Sequence, residues 1–269
     1  MRRAAHQLFD RPLVFEDPLA VRILGPETAA SLAPEPENLV ERRLRGFMAV
    51  RSRYAEERLG MAVAHGAKQY VVLGAGLDTF AYRNPYPELR VFEVDFPATQ
   101  VWKQERLQAA GIPLPGGLQF APVDFEKETL AGGLRKAGFA EKDPAFFSWL
   151  GVTPYLGRET VFATLRWIVS LCAGNGVVFD YALPRAALDE QGKKALDALM
   201  KRVAAAGEPF RGFFTREELE PGLKKMGYEE IEDLSPEQID ARYFAGRTDG
   251  LSVSGGLAHL LCAVGKRGK

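Results

Sequence analysis

Hydrophobic and polar positions change period repeatedly along the chain. Short apolar runs at Tyr70–Leu73, Val91–Asp95, Leu118–Pro122, Ala145–Leu150, Val177–Asp180, Tyr228–Leu234 and Leu257–Val264 read as buried strands. Helical spacing fills the gaps between them. From Pro36 to Gly66, Val40, Leu44, Phe47 and Tyr54 recur at the 3.6 period, and Gly66 can close the helix. Pro97 at a first helical position opens a helix to about Ala110, ended by Gly111, Pro113 and Pro115. Val161, Leu165, Ile168, Val169 and Cys172 mark one helix face, residues 186–205 form a polar Ala- and Lys-rich helix, and Thr215 caps another from Glu217 to Met226. Residues 1–34, punctuated by Pro12, Pro18, Gly25, Pro26 and Pro34, predict short helices joined by turns, with Asp17-Pro18-Leu19-Ala20 starting one.

Strands alternating with helices over residues 70–234 predict an α/β fold: a Rossmann-like, doubly wound and mostly parallel sheet, with an antiparallel edge strand supplied by the late hairpin and an N-terminal helical cap. Residues 1–68 read as that cap, part of the same domain, and residues 69–269 as the core.

The first strand turns sharply at Gly74-Ala75-Gly76, where the second glycine leaves room for a ligand against bare backbone. Asp95 ends the next strand 19 residues after Gly76, the distance at which a carboxylate arrives beside a ribose in a βαβ nucleotide site. That spacing leaves NAD, FAD and S-adenosyl-L-methionine open, as well as a tight turn that binds nothing. In a dinucleotide fingerprint, a third small residue lets a helix carry the pyrophosphate on its N-terminus. Thr79 stands at that place here, after Asp78. An acid there opposes a pyrophosphate and suits a cationic sulfonium.

Arg51 falls within the apolar stripe of the long helix, four residues after Phe47 and three before Tyr54, while Arg53 projects from the opposite face. A buried guanidinium needs an anionic partner, so Arg51 is either half of a structural ion pair or a fork for a ligand carboxylate. Asp124, after the third strand, reads either as a ligand-side acid at the adenine or as a helix N-cap. The loop Gly151-Val-Thr-Pro-Tyr155 follows the fourth strand on the ligand side of such a sheet, which makes Tyr155 the candidate for the acceptor pocket.

Charge adds exclusions. Lys+Arg and Asp+Glu are equal at 35 each, so bulk charge favours neither nucleic acid nor an anionic membrane. Cys172 and Cys262 lie in apolar runs and read as small buried hydrophobes, not a disulfide or a metal pair, a usage that suits the cytoplasm. No run approaches membrane-spanning length, and no signal peptide is expected. Of the histidines His6, His65 and His259, none is a clear general base: His259 reads as a core residue and His6 as a weak acceptor-side candidate.

The pieces Asp17-Pro18-Leu19-Ala20, Arg51-Ser-Arg53-Tyr54, LGAGLDTFAYR from Leu73 to Arg83, FEVDFP from Phe92 to Pro97, PVDF from Pro122 to Phe125, Gly151-Val-Thr-Pro-Tyr155-Leu156 and Ala241-Arg242-Tyr243-Phe244 together resemble the leucine carboxyl methyltransferase family. This branch of the S-adenosyl-L-methionine-dependent methyltransferases also includes bacterial and polyketide O-methyltransferases. The resemblance implies that an arginine of the Arg51–Arg53 pair meets the carboxylate of the methionine part, and the stripe selects Arg51. It further implies that Gly74 and Gly76 border methionine and ribose, Asp95 holds the ribose hydroxyls, and Asp124 with Phe125 receives the adenine. Members commonly carry a glutamate near the cofactor's amino group, just before the glycine that follows the fourth strand; this chain has Leu150 there, with Asp78 as the neighbour able to replace it.

The expectation is therefore an S-adenosyl-L-methionine-dependent methyltransferase that O-methylates a carboxyl or acidic hydroxyl group of a small molecule or peptide end, without a metal. An NAD-dependent oxidoreductase and a cofactor-binding protein without turnover are the alternatives.

Overall fold

The computed structural model describes residues 1–33, 39–124, 127–205 and 207–267. Helices α1 (Arg2–Phe9), α2 (Leu19–Arg22), α3 (Pro26–Ala30) and α4 (Leu39–Ala64) precede the first strand. Then follow β1 (Gln69–Leu73), β2 (Arg90–Asp95), α5 (Pro97–Ala109), β3 (Leu118–Pro122), α6 (Leu130–Lys136), β4 (Ala145–Trp149), α7 (Arg158–Ser170) and β5 (Gly176–Ala182). The chain continues through α8 (Glu190–Ala205), α9 (Arg216–Met226), β6 (Tyr228–Leu234), α10 (Pro236–Tyr243) and β7 (Ala258–Gly265). No helix among the described residues is long and apolar enough to cross a membrane.

The strands form one seven-stranded sheet in the order β3-β2-β1-β4-β5-β7-β6. Only β7 is antiparallel to its neighbours, so the expected late hairpin closes this edge with the reversed strand as its inner member. Between β1 and β4 the winding changes direction. The carboxyl ends of such a pair open a crevice in doubly wound sheets.

Alternation along the strands explains the layers, because successive side chains point to opposite faces. Tyr70, Val72, Phe146 and Val178 pack under Phe47, Val50, Tyr54 and Leu59 of α4. Val71, Phe147, Val177 and Phe179 meet Val161 and Leu165 of α7 and Leu219 and Leu223 of α9. Val14 and Phe15, from the N-terminal segment, share the core under α4.

Two expectations shift. The connection from β1 to β2 contains only a 3₁₀ turn, Phe80–Arg83, where a full crossover helix is the usual link. Helix α10 lies in a stretch that reads as polar loop; Ser235 and Gln238 cap it reciprocally, with Pro236 in its first turn. The predicted start of the long helix at Pro36 lies outside the described residues, while its end at Ala64 is closed by Gly66 at φ +94°.

Between β2 and α5, a charged pair is fully enclosed. Glu93 and Lys103 are each 1% exposed, with Nζ 2.7 Å from Oε2. Burial outweighs the lysine's attraction and pushes the Glu93 carboxyl up to about 7. A carboxyl raised on folding gives stability that is present below its ordinary value of 4.5 and lost as pH rises through the folded value. Lys103→Met strands the glutamate and is expected to cost about 3–5 kcal/mol at pH 8. At pH 6, where Glu93 takes up a proton, urea denaturation is expected to show a smaller loss.

Candidate active site

The crevice at the carboxyl ends of β1 and β4 holds a cavity of about 410 Å³, walled by α1, by Met48 and Arg51 of α4, and by the loops after the two strands. Its floor is the glycine loop. Gly74 and Gly76 sit at φ +68° and +44°, a region that costs other residues steric strain. The two glycines serve different ends. A Cβ on Gly74 would stand 2.4 Å from Val152, so this glycine lets the β4 loop close against β1, whereas at Gly76 the nearest atom is backbone at 4.0 Å, leaving open space.

Asp95 reaches this loop from β2. Its Oδ2 accepts the Gly76 N–H at 2.6 Å and its Oδ1 the Phe96 N–H at 2.7 Å. A carboxylate has about four acceptor positions, so each oxygen retains capacity for a ligand hydroxyl. Asp124 lies one strand further, where Val123 N–H donates to the Asp95 carbonyl at 2.9 Å. Asp124 is 9% exposed and pairs with Lys127 at 2.7 Å. It is not the cap of the following helix: Thr129 caps α6, accepting from the Gly132 N–H. Phe125, the expected adenine neighbour, lies outside the described residues.

Asp78 and Thr79 take up the N-terminal segment. Thr79 Oγ1 donates to Asp17 Oδ2 at 2.8 Å, and Arg3 places Nε 2.8 Å from the same oxygen. Arg3 also donates to the Leu77 carbonyl and stands 3.4 Å from Asp78. Burial raises the Asp78 carboxyl, but Arg3, Lys103 and the Phe80 N–H outweigh it and hold it below its ordinary value. The loop thus offers no free helix N-terminus and carries an ionised acid. Both features disfavour a pyrophosphate and fit a ligand with a positive centre.

Across the cavity, Arg51 Nη1 lies 3.2 Å from Asp180 Oδ2 in β5. The arginine's side chain is 18% exposed, the aspartate's 5%. Asp180 Oδ1 accepts the Gly151 N–H at 2.5 Å. Gly151 has φ +72°, and a Cβ there would stand 2.7 Å from Arg51 Nη1, so the glycine after β4 makes room for the guanidinium. Leu150 lines the cavity beside it.

Arg51, Gly74, Gly76 and Asp78 therefore border one space, with Asp95 attached through Gly76. Tyr155 does not line it. Carried on the 3₁₀ turn Thr153–Tyr155, its ring packs edge-on against Phe210 at 5.0 Å, and burial raises its hydroxyl, with Glu208 adding to the effect. His6 is a buried fastener, contrary to an acceptor-side role. Its Nδ1 lies 2.7 Å from Asp10, while Nε2 accepts the Val14 and Phe15 N–H groups. Two donors facing Nε2 put the proton on Nδ1. Asp10 is in turn gripped by Arg45 through two nitrogens at 2.9 Å.

Asp180, Arg3 and Asp17 escape a spacing argument. The first two show only as an acid ending a strand and as part of a charged terminus. Among the described residues no group of three or more His, Cys, Asp or Glu gathers as metal ligands.

Comparison with known proteins agrees with this architecture. A crystal structure from Thermobifida fusca, assigned as a methyltransferase, superposes with a TM-score of 0.57 at 19% identity, over 95% of this chain and 97% of that one, a similarity of fold. A Bacillus subtilis protein, YktD, assigned as an S-adenosyl-L-methionine-dependent methyltransferase, is 35% identical over 277 residues, 93% of this chain and 91% of its own. A Frankia alni protein with the same assignment is 31% identical over 84% of this chain and 76% of its own. The leucine carboxyl methyltransferase family model matches residues 1–169. The chain belongs to the leucine carboxyl methyltransferase family and is an S-adenosyl-L-methionine-dependent methyltransferase.

Proposed function

We propose that this enzyme methylates an oxygen of a carboxyl or acidic hydroxyl group on a small molecule or peptide end. The observation that carries the reading is the imbalance of the cavity: Arg2, Arg3 and Arg51 line it against the single acid Asp78. Each arginine has a carboxylate partner, so the lining offers an anionic acceptor hydrogen-bond donors more than net charge. A second observation concerns proton removal. His6 is engaged at both ring nitrogens, His259 is tied to Asp233 at 2.8 Å, and His65 sits on the Met61 carbonyl at the far end of α4. An acceptor that is already ionised needs no base, whereas an alcohol does.

When bound, the cofactor supplies a methyl group on a positively charged sulfur, so its leaving group needs no further activation. The chain's part is then to orient and to exclude water. Arg51 would fork the methionine carboxylate, Gly74 and Gly76 would border methionine and ribose, and Asp95 would accept from the ribose hydroxyls. Asp124, with Phe125, would face the adenine. Asp78 would answer the amino group in place of the glutamate that Leu150 lacks. Helix α1, held by Arg3, would shield the site from solvent, and Tyr155, which lies outside the cavity lining, would border the acceptor only beyond Val152.

Isothermal calorimetry with S-adenosylhomocysteine is expected to show binding to the native chain, and Asp95→Ala is expected to weaken it by about 1–3 kcal/mol, the scale for leaving hydrogen-bonded polar groups unpaired. Unchanged affinity in the variant removes Asp95 from the site.

The acceptor class is tested with methyl-labelled cofactor against panels of carboxylic acids, phenols and amines. Label is expected on oxygen, released as methanol by mild alkali where a carboxyl was the acceptor, and initial rates on a carboxylate are expected to stay flat from pH 6 to pH 9. Labelled amines alone overturn the reading.

A further inference from the structure

Asp180 is a buried carboxylate beside the cavity for which the cofactor reading has no use. It lies in β5, two residues before the strand's end and one strand beyond Leu150, and its side chain is 5% exposed. Such a group is costly unless both oxygens are engaged. Here one oxygen accepts the Gly151 N–H at 2.5 Å and the other faces Arg51 Nη1 at 3.2 Å. Its backbone carbonyl also accepts from Thr153 Oγ1, in the turn that carries Tyr155.

Among the described residues, this arrangement spends one nitrogen of the guanidinium. Arg51 touches Asp180 through Nη1, so the rest of its planar fork is left toward the cavity that it lines. An arginine on a long helix has several rotamers, and the one observed places the side chain in the lining of the cavity. Two features select it: Asp180 pulls Nη1 toward β5, and Gly151 leaves the space that a side chain would fill.

We propose that Asp180 is a positioning residue of this methyltransferase, which fixes the Arg51 fork for the carboxylate of the cofactor and pins the Gly151–Tyr155 loop in register with it. The inference rests on Arg51 receiving that carboxylate. The bland competitor is an ion pair that merely holds α4 to the sheet. Such a pair would affect every ligand of the pocket alike, whereas a positioning role affects only ligands that carry the carboxylate.

That difference is measurable without turnover. Affinities of the full chain, of Asp180→Asn and of Arg51→Ala are measured by calorimetry for S-adenosylhomocysteine and for 5′-methylthioadenosine, which lacks the amino-acid part. Asp180→Asn is expected to weaken S-adenosylhomocysteine about 10-fold or more, the scale of one hydrogen bond to a charged group, and to leave 5′-methylthioadenosine within about 2-fold. The double variant is expected to bind S-adenosylhomocysteine no more weakly than Arg51→Ala alone, since the aspartate acts through the arginine. Equal loss for both ligands, or no loss for either, overturns the proposal. Should Asp180→Asn melt below the working temperature, Asp180→Glu keeps the charge on a longer arm and is expected to show the same ligand-selective loss. Failure of the native chain to bind either ligand defeats the cofactor reading itself, whereas an Arg51→Ala variant that still favours S-adenosylhomocysteine as strongly as the native chain does removes Arg51 from the carboxylate and with it the premise of this proposal.

Discussion

A carboxylate without access to water governs how the N-terminal segment meets the sheet. Asp17 is 0% exposed, and a charge in that position is tolerable only when surrounded by close partners. Arg3 supplies one from α1, Thr79 another from the glycine loop, and the Leu19 N–H a third from the start of α2, with Arg83 3.6 Å away on the 3₁₀ turn. Satisfying one group thus fixes four pieces of chain relative to each other. Arg83 extends the network to Glu56 of α4. The β1–β2 connection serves the same group, since Thr79 and Arg83 both lie in it.

Two such carboxylates brace the cavity from opposite sides. Asp17 acts through Arg3 on the wall made by α1, and Asp180 acts through Arg51 on the wall made by α4. Each joins a helix from the first 64 residues to a strand end or loop that comes later, so the cavity is shaped by long-range ion pairs laid over an apolar sheet. Buried pairs of this type add little net stability compared with hydrophobic replacements, and their best-attested use is to select one arrangement. A cavity that must present a fixed set of polar groups is a place where that selection matters.

The layered fold was legible because its signals are local and repetitive. Runs such as Tyr70–Leu73 and Ala145–Trp149 are buried on both faces and therefore apolar throughout, while Val161, Leu165 and Ile168 repeat at helical spacing. The cluster of Arg51, Gly74, Gly76, Asp78 and Asp95 was legible for another reason: glycine and aspartate at strand ends are residues that a core does not want. What escaped depends on distance. Nothing near Asp180 in sequence says that its partner is Arg51, 129 positions away, and nothing in the first helix says that Arg3 will reach Asp17 and Asp78. Arg51 read equally as ion pair and as ligand fork, and its geometry contains the pair. His6 misled because an imidazole on a cap helix gives no hint that two backbone N–H groups will converge on its far nitrogen. Helix α10 was hidden by its polarity, although its capping residues stand plainly at Ser235 and Gln238.

The reversed strand has a bearing on the order of assembly. β7 comes after β6 in the chain yet inserts between β5 and β6, pairing with β5 from Gly176↔Val264 to Ala182↔Ala258. Until residues 258–265 arrive, one side of β5 is an open edge with unpaired backbone groups, the kind of surface that invites wrong partners. The strand left exposed in that interval is the one that carries Asp180. During synthesis, then, the wall of the pocket facing α4 is the last to gain its neighbour, long after the glycine loop and its aspartates have been made.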